Sequence, residues 1–120
     1  MVVEPPERQG SLRSALANAM VTLFKTHYGR GPDAAKAYIE DDYVFVVLEG
    51  GLTRNEQTLL EDGKEDVVRN YRLEFQETVS EMATGAVEEL TGRKVIGYHS
   101  QIVFHPVRGF EIFVLAPEEG

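Results

Sequence analysis

The longest uninterrupted apolar run in the chain, YVFVVL at residues 43–48, constrains the fold more than any other segment. Read as a strand, it puts Tyr43, Phe45 and Val47 on one face and Val44, Val46 and Leu48 on the other. A strand that is apolar on both faces is a central strand, covered on each side by helices or by another subunit. The run is also far short of the ~20 residues that cross a bilayer. The chain is therefore expected to be soluble and to meet a membrane only through a partner.

The neighbouring segments supply the rest of a sheet. Residues 35–39 read as a strand joined to 43–48 through Glu40-Asp41-Asp42, an acidic turn in which Asp bonds its own backbone. Residues 95–104 and 110–115 form a second hairpin around Pro106-Val107-Arg108-Gly109. Phe110, Ile112 and Val114 alternate there with Glu111, Phe113 and Leu115, so this strand too is expected to be buried on both faces. Ser11 is a good N-cap, and Leu12, Leu16, Ala19, Met20, Leu23 and Phe24 follow it at helical spacing, with Gly29 placed as a left-handed C-cap. Thr53-Arg54-Asn55-Glu56 is a capping-box sequence for a short helix ending at Asp62-Gly63.

Residues 64–91 then predict one long helix closed by Gly92. Its stripe is Val68, Tyr71, Phe75, Val79, Met82, Ala86 and Leu90, a mean step of about 3.67 residues that keeps the stripe parallel to a straight axis. At 1.5 Å per residue the helix is roughly 40 Å long and crosses the whole domain, with Gly85 as its weak point for a bend. The expected fold is α+β in the order α-ββ-αα-ββ. Two antiparallel β-hairpins form one four-stranded sheet, covered by an N-terminal helix and the long central helix. Residues 1–10, with Pro5 and Pro6, read as a flexible arm, and residues 11–117 as a single domain.

Charge and composition narrow the function. Twenty Asp and Glu against twelve Lys and Arg give a net charge of −8 over 120 residues. That field repels nucleic acid and anionic lipid, and no basic run reverses it locally. The absence of cysteine excludes a disulfide framework, a thiolate nucleophile and Cys-ligated metal, and fits a cytoplasmic location. The N-terminus MVVEPPERQG lacks the apolar core of a signal peptide.

Residues 28–50, YGRGPDAAKAYIEDDYVFVVLEG, are the most distinctive stretch. Gly29-Arg30-Gly31-Pro32, Asp41-Asp42 and the Val-rich strand ending in Leu48-Glu49-Gly50 resemble the MpsC-like family of small bacterial proteins. That family is associated with the C component of a sodium-translocating, membrane-potential-generating system. Leu52-Thr53 with Glu56 is similar to the family's entry to its second helix. Glu89-Leu90-Thr91-Gly92-Arg93, with Val95 and Ser100, is similar to a later family segment. The resemblance covers residues 11–117. It implies a cytoplasmic accessory or regulatory protein, without enzymatic activity, tied to membrane sodium or bicarbonate transport and acting by contact with a transporter subunit.

Candidate chemistry is sparse. Gly29-Arg30-Gly31 makes either a nest of backbone amides with a guanidinium beside it, suited to a small anion or metabolite, or a helix cap and corner with Arg30 paired to a nearby acid. The second reading is preferred, and an anion sensor at this corner is kept as the rival function. His99 and Ser100, in the third strand, are the other candidate ligand-binding residues. With Glu49 they suggest a hydrolytic set that no spacing enforces. No catalytic residue, metal ligand or cofactor is assigned, because an acidic turn such as Glu40-Asp41-Asp42 is ordinarily solvated. Helices on one face of the sheet leave side chains such as Phe45 or Phe113 on the other, and such a patch predicts a homodimer through the sheet or the long helix.

Overall fold

A computed structural model describes residues 6–118. The elements are α1 (Pro6–Tyr28), β1 (Ala34–Glu40), β2 (Tyr43–Glu49), α2 (Arg54–Glu61), α3 (Glu65–Thr78), α4 (Ser80–Thr91), β3 (Val95–Val103) and β4 (Arg108–Leu115). The four strands form one antiparallel sheet in the order β1-β2-β4-β3. Each hairpin is thus intact, and the two strands that are apolar on both faces, β2 and β4, lie side by side at the centre. The fold is α+β in the expected order.

Local chemistry explains most boundaries. Gly29 has φ +79° and its amide donates to the Lys25 carbonyl, ending α1 as a left-handed cap. The capping box closes as read: the Glu56 amide donates to Thr53 Oγ1 at 3.3 Å and the Thr53 amide to Glu56 Oε1 at 2.9 Å. Gly92 caps α4 at φ +69°.

Several expectations are corrected. The first helix begins at Pro6 rather than after Ser11, because Pro is well suited to a first helical position that needs no amide donor. The part of the expected arm at residues 1–5 lies outside the described residues. The second hairpin turns at residues 104–107, so Arg108 and Gly109 belong to β4, where Arg108 pairs with Val103 and Glu49.

The long helix breaks at Val79, not at Gly85. Val79 has φ −95° and ψ 7°, about fifty degrees from helical ψ. Around it Thr78 Oγ1 donates to the Glu74 carbonyl and Ser80 Oγ to the Glu77 carbonyl. Hydroxyls that bond the preceding turn compete with the backbone ladder, and a β-branched residue between them adds crowding. Gly85 lies inside α4 with no neighbour near its missing Cβ.

All three long helices pack on one side of the sheet. Leu16, Met20 and Phe24 of α1 meet Val44, Val46 and Leu48 of β2, Phe113 and Leu115 of β4, and Ala83 and Val87 of α4 in the main core. A smaller core joins Leu52, Val68 and Ile102 under α2. The stripe of α3 and α4 that enters this interior is Val68, Arg72, Gln76, Val79, Ala83 and Val87, which shares only Val68 and Val79 with the expected one. Tyr71 and Met82 of the expected stripe remain 50% and 47% exposed. Two polar side chains, Arg72 and Gln76, occupy inward positions that an apolar reading of the helix passes over.

Candidate functional site

The Gly-Arg-Gly-Pro corner is fastened to the segment after β2. Arg30 donates to the Leu52 carbonyl at 2.8 Å and to Asp33 Oδ1 at 3.1 Å, and the Asp33 amide donates to the Glu49 carbonyl. Gly51, at φ +85°, lies so close to the corner that a Cβ there would sit 2.8 Å from the Pro32 Cα. The corner and the Gly50-Gly51 pair thus recognise one another, which gives Arg30 structural partners of its own. The void beside it, lined also by Arg72 and Gln76, is about 10 Å³, room for about one water.

Behind this corner a chain of polar groups runs between the sheet and the helices. Arg72 donates from Nε and Nη2 to the two oxygens of Glu56, at 2.5 and 2.6 Å, and from Nη2 to the Gly51 carbonyl at 3.0 Å. Its guanidinium lies 4.0 Å from the centre of the Tyr28 ring. Both members of the ion pair are buried. Burial works against ionisation of Glu56, but the Arg72 guanidinium and the Thr53 amide outweigh it and hold the carboxyl below its ordinary value.

Further along, Ser100 Oγ donates to Gln76 Oε1, and the Tyr98 hydroxyl donates to Glu111 Oε2 at 3.0 Å. Glu111 is 1% exposed, and its other oxygen has no hydrogen-bond partner among the described residues. Burial pushes its carboxyl up to about 7, an effect the Ser100 and Tyr98 hydroxyls and the more distant Arg72 only partly offset. Burial also raises the phenols of Tyr28 and Tyr98. Arg72 is committed to Glu56, so Glu111 is the unmatched acid of the interior.

The remaining candidates do not converge. His99 and Ser100 are consecutive on β3, so their side chains point to opposite faces: Ser100 inward, His99 outward beside Ile112. They border a crevice of about 380 Å³ with Tyr98, Glu77, Ser80 and Thr84, whereas Arg30 borders the small void described above. Glu49, the third member of the imagined hydrolytic set, pairs with Arg108 at 3.4 Å. In the acidic turn, Asp42 is bound by Arg93, which also donates to the carbonyls of Asp41 and Ala116.

Sequence reasoning missed Arg72 and Gln76. The available signal was phase: they continue the spacing of Val79, Ala83 and Val87 backward in steps of four and three. Glu111 was legible as an inward residue of β4, but its isolation was not.

Among the described residues, two apolar areas are left uncovered. One is the far side of the sheet, where Tyr38, Phe45 and Phe110 form a row of rings with centroids 5.9 Å apart in succession, flanked by Tyr43, Val47, Ile112 and Val114. The described residues therefore cover β2 and β4 on one face only. The other is a groove of about 520 Å³ along α1, closed on its far side by Leu90 of α4.

Among the described residues no helix is long and apolar enough to cross a membrane. No curated protein and no solved structure matches the chain. A family model described as "Na+-translocating membrane potential-generating system (MpsC)" matches residues 8–117, and the chain therefore belongs to the MpsC family.

Proposed function

We propose that the protein is a non-enzymatic, cytoplasmic accessory subunit of a membrane sodium or bicarbonate transport system, acting as a homodimer and by contact with a transporter subunit. The observation that carries this reading is the uncovered aromatic face of the sheet. Four strands at ~4.8 Å spacing and seven residues at ~3.4 Å give a face of roughly 450 Å². Two such faces bury on the order of 1,000 Å², near the lower bound for a specific interface. The rim of this face carries Lys36 and Arg108 against Glu40 and Glu49. It is neutral on a chain of net charge −8, so two copies can approach there with little repulsion. The ionisable groups with displaced titration (Glu56, Glu111, Tyr28 and Tyr98) lie between sheet and helices, which fits a structural use better than a catalytic one.

Light scattering at micromolar concentration is expected to give twice the chain mass, and Phe45→Lys is expected to halve it while leaving circular dichroism unchanged. A single-chain mass for the unaltered protein overturns the dimer. The rival function, an anion sensor at Gly29-Arg30-Gly31, is separated by a thermal-shift screen with bicarbonate, carboxylates and nucleotides. A shift lost in Arg30→Ala favours the sensor, while recovery of a transporter subunit without any shift favours the accessory role.

A further inference from the structure

The sheet ends in two edges of opposite character. β1 carries Lys36 and Glu40 and is bracketed by Asp33 and Asp41, charges of the kind that keep an edge from pairing with other strands. β3 (Val95–Val103) has no Lys, Arg, Asp, Glu or Pro along its whole length. A bulge at Ile96 bends its start, and residues 97–103 continue in regular pairing with β4. At that start the Val95 amide is taken by Glu88 Oε2 at 2.8 Å. Among the described residues, no other element bonds the outward amides and carbonyls of residues 97–103. Such an open run of alternating donors and acceptors is complemented by another extended chain.

The crevice beside this edge decides which side chain such a segment brings. It is about 380 Å³ and lies between β3 and the flank of α3–α4 that carries Glu77, Ser80 and Thr84. Every hydroxyl on its wall directs its proton elsewhere: Ser80 to the Glu77 carbonyl, Thr84 to the Glu81 carbonyl, Ser100 to Gln76 Oε1 and Tyr98 to Glu111 Oε2. What these groups present to the crevice is lone pairs. Glu77 adds an exposed carboxylate that forms no ion pair among the described residues. His99 borders the crevice too, but its side chain turns to the far face of the sheet. A wall of acceptors matches a group that has donors only, the Lys ammonium or the Arg guanidinium. A second copy of β3 carries neither. Paired antiparallel about a two-fold axis, it would also set the Glu77 flank of one copy against that of the other, a repulsive arrangement.

We infer that the outer edge of β3 and the crevice beside it form a docking site for an extended segment of a partner protein, which adds to the sheet as a fifth strand and sends a Lys or Arg side chain to Glu77. This deepens the contact role proposed above and rests on it for its biological sense. Backbone pairing along residues 97–103 supplies affinity, and the crevice selects a cationic side chain at alternate positions of the segment. The site is separate from the row of Tyr38, Phe45 and Phe110, which lies on the other face of the sheet.

The test uses the full chain and a fluorescent, about eight-residue peptide of alternating Thr and Lys, read by anisotropy. Binding on the order of 50 μM is expected. The same peptide N-methylated at every amide keeps its charge but cannot join a sheet, and is expected to bind about tenfold more weakly, as is a Thr/Glu peptide. Glu77→Gln is expected to lose about threefold. Glu74→Gln, an equal change of charge at an exposed position of α3 that does not border the crevice, is expected to lose less than about 1.5-fold. Hydrogen exchange along residues 97–103 is expected to slow when the peptide is bound. Equal binding of the methylated peptide, equal losses in the two variants, or no slowing along β3 overturns the inference. Exchange that is already slow without peptide and quickens on dilution assigns the edge to a second copy, and overturns it too. Phe45→Lys reports separately on the dimer, and recovery of a transporter subunit on the accessory role, so each idea can fail alone.

Discussion

Arg72 ties three parts of the molecule together: Glu56 of α2, the Gly51 carbonyl after β2, and the Tyr28 ring at the end of α1. An interior ion pair contributes little net stability, but removing one partner strands a charge in a low dielectric. Arg72→Met is therefore expected to lower unfolding free energy by about 3–5 kcal/mol in urea denaturation. Adding Glu56→Gln should recover a large part of that loss; no recovery would show that packing, not charge, is what Arg72 supplies. Glu111 makes a separate prediction. Its carboxyl titrates at about 7 in the folded chain and near 4.5 when unfolded. The folded state thus holds the proton more tightly, and stability declines as pH rises from about 4.5 to about 7, by about 3 kcal/mol in all. Glu56 has the opposite sign, since its depressed value adds stability above the ordinary carboxyl range that is lost in acid. Glu111→Gln should flatten the decline between about pH 5 and about pH 7 while leaving the acid limb in place.

At the scale of elements, the break at Val79 is what lets one stretch of sequence serve two directions. Before it, α3 sends Arg72 and Gln76 toward the sheet and the loop before α2; after it, α4 sends Ala83 and Val87 into the main core. The sequence marks glycine as the obvious weak point, yet Gly85 sits in regular helix with open space around its Cα. Gly85→Ala is accordingly expected to raise stability by about 0.5–1 kcal/mol, read as a higher thermal midpoint. A loss would mean that the helix needs the glycine after all. The first hairpin, by contrast, was readable almost residue by residue, while the second turns two residues before its Pro-Gly signal. Alternation and turn chemistry are local properties, and the Asp41-Asp42 turn, with Asp41 at φ +51°, closes the register Glu40↔Tyr43. The helix phase was not readable, because the inward stripe carries Arg72 and Gln76, so apolar spacing alone favours the other face.

For the whole molecule, the sheet separates the two uncovered apolar surfaces: one lies beneath it, the other among the helices above. The aromatic face beneath the sheet is the one on which the proposed dimer depends, and Phe45→Lys tests it there.

By itself the sequence determined the order of helices and hairpins, which strands pair within each hairpin, and the family, since all of these follow from short-range pattern and turn chemistry. It also placed Gly29, Arg30 and Gly31 at a corner, and left two meanings for them. Only the tertiary structure decided that the corner is clasped to Gly51 and Leu52, that β2 and β4 are neighbours, and that the stripe carrying Arg72 and Gln76 turns inward. Those outcomes depend on contacts between residues far apart in the chain. There a buried Arg–Glu pair and the crowded Gly50-Gly51 pair settle what periodicity leaves open.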